Sequence, residues 1–258
     1  DRFGGGFESV FAMDLDPAAV ATYNANFGNH AHCADIEQWL AEGKEIPAAD
    51  IVIGGPPCQG FSLLNKKRIG DARRGLWEPY LDFVERSGAR AFVIENVREL
   101  LSSPEAADIR ARADRMGFDT VAQVLNAADY GAPQLRRRAV IIGRHRSLDA
   151  PISFPPLRTH ASSDERTNLP AWRTVRDVIG DLPAPVGTDI RKVRAPLDLH
   201  FGRQPTAKSM ERYRAVPPGG NRFDLQRNAL HITPACWIKK TSGGTDLFGR
   251  LWWDRPAV

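Results

Sequence analysis

The sequence predicts an α/β protein: a doubly wound, largely parallel sheet with helices on both faces, followed by a second, smaller and irregular domain. Through residue 150, short apolar, β-rich runs alternate with helical stretches. Runs such as Ile51–Ile53 and Phe92–Ile94 are continuously apolar rather than alternating, as in strands buried on both faces. From Pro151 the texture changes: prolines crowd in, and Arg, Lys, Gly and Trp interleave without a clear period.

The elements follow in order. "ESVFAMD" (Glu8–Asp14) reads as a strand, and "PAAVATYNANF" (Pro17–Phe27) as a helix with proline in its first turn. "DIVIGG" (Asp50–Gly55) is the next strand, and "LWEPYLDFVERSG" a helix ending at Gly88. "ARAFVIENV" (Ala89–Val97) is a strand, and "SPEAADIRARADRMG" (Ser103–Gly117) a helix with a capping signal at its start and glycine at its end. "DTVAQVLNA" and "RRAVIIGR" complete the half as strands. In the second half only "AWRTVRDVIGDLP" reads as a helix; "YRAVPPGGNRFDL" and "WIKKTSGGTDLFGRLWW" read as loops and short strands with little regular core. The expected domains are 1–150 and 151–249, with 250–258 returning to the first.

Composition narrows the class. With 258 residues, 42% hydrophobic and 26% charged, the chain can bury a sizeable core. No apolar run of about 18 residues predicts a membrane span, and no secretory h-region stands near the start. The first residue is Asp1 rather than Met, which points to upstream sequence. A net charge of +4 with 35 Lys+Arg leans towards a polyanionic partner. The three cysteines, Cys33, Cys58 and Cys236, offer neither a disulfide framework nor zinc spacing, and the six histidines form no metal motif. A reducing, cytoplasmic setting without a metal is expected.

In an open parallel sheet, ligands bind beyond the carboxyl ends of the strands. Cys58 follows such an end, on a loop stiffened by Pro56 and Pro57. Alone, a cysteine in a turn is more often a small buried residue. Other strand ends change that balance: one finishes in Glu95, Asn96 and Val97, and another in Asp14, where related folds hold ribose hydroxyls. "QLRRR" (Gln134–Arg138) leads into the strand "AVIIGR"; in a strand Arg136 and Arg138 would share one side.

"GGPPCQGFS", "ENV" and Gln-x-Arg-x-Arg, in this order and at these strand ends, resemble the signature blocks of the bacterial DNA (cytosine-5)-methyltransferases. "GGPPCQGFS" is the most specific of them. "DARRGL", "AMDLDPAAVATYNANF", "ADI" and "GRLWWDRPA" resemble further blocks, so the likeness covers nearly the whole chain, most loosely in the second half.

The resemblance implies a Rossmann-like methyltransferase sheet and S-adenosylmethionine as methyl donor, leaving S-adenosylhomocysteine. It makes Cys58 the nucleophile on carbon 6 of cytosine, activating carbon 5. Glu95 would supply a proton or hydrogen bond near ring nitrogen 3 and must then be protonated or share a proton. Arg138 would hold the base carbonyl, and Arg136 the base or the loop carrying Cys58; Gln134 would be structural. Asp14 would bind the ribose, Leu15 the adenine face, and Asp35 with Ile36 the adenine edge. Pro56 and Leu76 would line the methionine side. Attack on the ring face requires the cytosine to flip out of duplex DNA. Gln59, Ser62, Lys66, Lys67, Arg68, Arg73 and Arg74, and in the second domain Arg222, Lys239 and Lys240, would meet the DNA. The resemblance further implies a monomer in the bacterial cytoplasm, at the nucleoid, in restriction–modification or as an orphan methylase.

Two blocks of the family pattern are not seen. "RFGGGFES" stands too close to Asp14 to be the glycine-rich cofactor loop, and the family's closing blocks would follow Val258. Two alternatives remain open beside DNA methylation. One is a tRNA cytosine, which the long basic second half disfavours; the other is a silent DNA-binding scaffold, which Cys58 and Glu95 disfavour. A cysteine hydrolase lacks a histidine near Cys58.

Overall fold

The computed structural model describes residues 6–57, 75–183, 204–239 and 249–257. The chain divides into two compact units, Asp1–Leu125 with Arg137–Pro156, and Asn126–Arg136 with Leu157–Val258.

The first unit opens with β1 (Ala12–Asp14), α1 (Pro17–Phe27) and β2 (Ala31–Cys33), which pairs parallel with β1 in the register Asp14↔Cys33. α1 begins where Pro17 fixes a helical backbone and the Asp16 carboxylate accepts the Ala18 N–H at 2.8 Å. α2 (Ile36–Ala41) follows, capped by Asp35. Next come β3 (Ile51–Gly54), α3 (Trp77–Arg86), β4 (Ala91–Val97), α4 (Pro104–Arg115), β5 (Phe118–Asn126) and β6 (Arg137–His145). These four strands form one sheet in the order β3-β4-β6-β5, so β3 is an edge among the described residues, and its Ile53 is 75% exposed.

The α/β class matches expectation, with local differences. The first strand is Ala12–Asp14 rather than Glu8–Asp14, and β2 and α2 are too short to announce themselves by periodicity. β3 and β4 are parallel, but β6 runs antiparallel to β4, pairing Ile94 with Ile141. The connection 127–136 from β5 is shorter than the crossover a parallel return requires. At α4 the expected cap is replaced: Ser103 donates its hydroxyl back to the Leu100 carbonyl at 2.8 Å, and Pro104 starts the helix.

The core explains how the strand ends are held. Phe92, Ile94 and Asn96 alternate onto the buried face of β4. There Phe92 and Ile94 share one core with Leu81 and Val84 of α3, Ile109 and Ala113 of α4, and Ala139 and Ile141 of β6. Gly143 of β6 lies flush on the Phe92 ring, which a Cβ would meet at 2.0 Å. By the same alternation Val93 and Glu95 occupy the opposite face.

The second unit corrects the expectation of loops and short strands. α5 is only Arg176–Ile179, but α6 (Ala207–Ala215), α7 (Arg222–Asn228) and α8 (Ala235–Ile238) are helices. α7 carries a full capping box: the Asn221 side chain accepts the Phe223 N–H at 2.9 Å, and Asp224 accepts the Asn221 N–H at 2.7 Å. Val216, Leu225, Ala229 and Ile232 form a small core of their own. The run 249–257 is tied in by backbone bonds, among them Gly219 N–H to Arg250 C=O at 2.8 Å and Ala257 N–H to Pro133 C=O at 2.8 Å. At Gly219 the backbone is left-handed (φ +71) and a Cβ would collide with the Trp252 indole, so glycine suits it twice over.

Candidate active site

Four residues meet at the carboxyl end of the β3–β4 pair. β3 ends at Gly54, in register with Ile94, so Pro56 and Glu95 follow on adjacent strands. Asn96, buried at 3%, donates from Nδ2 to the Pro56 carbonyl at 2.9 Å, while its Oδ1 accepts the Val97 N–H at 2.9 Å. One amide therefore ties the start of the Pro–Pro–Cys segment to the strand that carries the acid.

Glu95 lies opposite Val140 on β6, which places Arg138, two residues earlier, diagonally across the same face. The Arg138 Nε meets Glu95 Oε1 at 3.0 Å, with the carboxylate side chain 47% exposed. A Cβ on Gly55 would come within 3.5 Å of Glu95 Oε2, so the glycine backbone passes close beside the acid. The arrangement offers a carboxyl group and a guanidinium side by side at an accessible strand end. Such a pair can grip a planar heterocycle through a ring nitrogen and an adjacent carbonyl.

The β1–β2 end supplies a second set of groups. The exposed Asp14 closes β1, and its Oδ1 accepts the Asp16 N–H at 2.8 Å. Asp35 follows β2 and caps α2: Oδ1 accepts the N–H groups of Glu37 at 2.8 Å and Gln38 at 3.2 Å, and Oδ2 takes part in neither bond. Leu15 is 64% exposed, while Ile36 is half-buried in the first turn of α2. Pro56 and Leu76 are half-buried at the end of β3 and the start of α3. Two carboxylates with an exposed leucine after parallel strand ends fit a ribose diol and an adenine.

Other expected residues are placed differently. Arg136 lies one residue before β6 begins; it is exposed, and its carbonyl accepts the Ala127 N–H at 2.9 Å. Arg222, expected on the DNA-facing surface, is buried at 5% with its guanidinium over the Phe223 ring, in the first turn of α7. Lys239 is exposed at the end of α8. Cys58, Gln59 and Ser62, the basic residues between Lys66 and Arg74, and Lys240 lie outside the described residues. Among the described residues, no group of His, Cys, Asp and Glu could hold a metal ion, and no helix is long and apolar enough to cross a membrane. Asn96 was given no role by sequence reasoning, although "ENV" contains it; its partner is a backbone carbonyl, which no sequence pattern displays.

The signature of the C-5 cytosine-specific DNA methylases matches residues 3–199. The chain belongs to that family. Its relatives include the type II methyltransferase M.AgeI of Thalassovita gelatinovora, 37% identical over 69% of this chain and 46% of the relative. Another is M1.HphI of Haemophilus parahaemolyticus, 31% identical over 98% of this chain and 64% of the relative. The chain thus spans about half to two thirds of the length of these curated relatives. The crystal structure of an E. coli prophage-encoded DNA modification methyltransferase candidate has a similar fold, with a TM-score of 0.55 and 24% identity over 86% of this chain and 64% of that one. The cytosine methylase signature encloses Pro56, Glu95, Asn96 and Arg138.

Proposed function

We propose that the protein methylates carbon 5 of cytosine in duplex DNA at a specific sequence, within bacterial restriction–modification. The observation that carries this reading is the meeting of Pro56, Asn96, Glu95 and Arg138 at one strand end, immediately before Cys58. S-adenosylmethionine supplies an electrophilic methyl group when held by Asp14, Leu15, Asp35 and Ile36, with Pro56 and Leu76 on the methionine side.

The protein's own groups prepare the base. A cytosine flipped from the duplex presents nitrogen 3 to Glu95 and its carbonyl oxygen to Arg138, replacing unstacking costs of a few kcal/mol with charge-assisted hydrogen bonds. The Cys58 thiolate forms a bond to carbon 6 while Glu95 gives a proton or hydrogen bond to nitrogen 3, leaving carbon 5 electron-rich. After carbon 5 is methylated, a water molecule takes its hydrogen as a proton, nitrogen 3 returns to Glu95 any proton it received, the sulfur–carbon 6 bond breaks and the thiolate is restored. Basic residues between Lys66 and Arg74, with Lys239 and Lys240, contribute phosphate contacts.

The test is a duplex containing 5-fluorocytosine, incubated with S-adenosylmethionine and either wild type or Cys58→Ser. Fluorine blocks the last elimination, so wild type should be trapped on DNA in a form that survives denaturant, and the variant should not. Trapping only on a tRNA substrate, or no trapping while S-adenosylmethionine is bound, would overturn the assignment.

A further inference from the structure

We propose that Tyr80 is a positioning residue for this reaction, pinning the ends of β3 and β4 in register so that the Pro56 segment and Glu95 stay in reacting alignment. The inference rests on the methylation reading for the reaction it serves. Tyr80 lies at the start of α3, buried at 6%. Its hydroxyl donates a three-centre hydrogen bond to two carbonyls on neighbouring strands, Val52 of β3 at 3.0 Å and Val93 of β4 at 2.9 Å. Its ring presses on Gly54, where a Cβ would meet it at 2.3 Å.

The placement of these contacts gives them a role beyond filling space. Gly54 precedes Pro56 by two residues, and Val93 precedes Glu95 by two. Sliding β3 along β4 would lengthen one of the two hydroxyl bonds and drive Gly54 into the ring. Asn96 ties the same strands at their tips, but only through Pro56. Tyr80 therefore resists shear two residues before Pro56 on β3's side and two before Glu95 on β4's. A phenylalanine would fill the same volume and keep the ring on Gly54, so the hydroxyl serves the strand alignment alone. Burial pushes the phenol's pKa up, which keeps the donor protonated through the working range.

The test compares Tyr80→Phe with wild type in the intact protein, with Ile109→Val on α4 as a control that removes a methylene from the same core without touching a hydrogen bond between β3 and β4. In Tyr80→Phe, kcat for methyl transfer and the rate of 5-fluorocytosine trapping should both fall about tenfold, since sub-ångström misplacement of reacting groups is that costly. The KM for DNA should stay within about twofold, because the expected phosphate contacts are unchanged. Amide hydrogen exchange at Gly54, Gly55 and Glu95 should quicken in Tyr80→Phe and not in Ile109→Val. A kcat within about twofold of wild type would overturn the proposal, as would an equal loss in the control. Failure of wild type to form any adduct would instead overturn the methylation reading and with it Tyr80's service to the reaction; the exchange data would then report on the strand pin alone.

Discussion

Asn96 shows how much a single buried amide can govern. Removing it as Asn96→Ala strands the Pro56 carbonyl and the Val97 N–H, both now paired at 2.9 Å. Urea unfolding should report a loss of about 1–3 kcal/mol, the usual cost of leaving a buried polar group without its partner. Methyl transfer should fall as well, because the same bond ties the segment before Cys58 to the acid strand. At this scale the neighbourhood of the acid and the arginine was legible, for Glu95 closes one strand, Arg138 opens another, and the two meet at 3.0 Å. Arg222 was misread because charge alone does not separate a surface arginine from one laid over a phenylalanine ring. Asn96 and Tyr80 could not be read at all, since their partners are carbonyls that every residue possesses.

Between elements, the ends of β5 and β6 are joined by charge. Asp119 on β5 accepts from Arg144 Nη2 at 2.7 Å and Arg146 Nε at 2.9 Å, and these bonds hold its carboxyl below the usual value of 3.8. A carboxyl depressed in the folded state adds stability that is fully present above its unfolded pKa and is lost as pH falls through the lower folded one. Wild type should therefore melt above Asp119→Asn at pH 7, and the gap should close as the pH drops past 3.8. High salt should narrow it too, since these side chains are 25–48% exposed. Elements with their own punctuation were legible: α1 with Pro17 and α3 with Gly88 both fall where local chemistry puts them. α6 was missed because none of its residues is buried and "AKSMERYRA" shows no apolar stripe. α7 could have been found, for Asn221 and Asp224 spell a capping box.

The described residues hold two cores of unequal size, one centred on Phe92, Ile94 and Ile141, the other on Val216, Leu225, Ala229 and Ile232. Leu225→Ala should cost about 2–5 kcal/mol in the smaller one. In a denaturant titration followed by hydrogen exchange, protection in α6 and α7 should be lost earlier than in wild type, while protection in β4 and α4 keeps its midpoint. Equal shifts in both sets would mean that the cores melt as one. Fold class was legible because it depends on the alternation of apolar strands with helices. The antiparallel return of β6 was not, for it is set by a link too short to cross the sheet.

Among the described residues β3 stands at one end of its sheet and carries an isoleucine that is three-quarters bare (75% for Ile53). A margin of this kind accepts an added extended strand, so a peptide that paired with β3 would continue the sheet there.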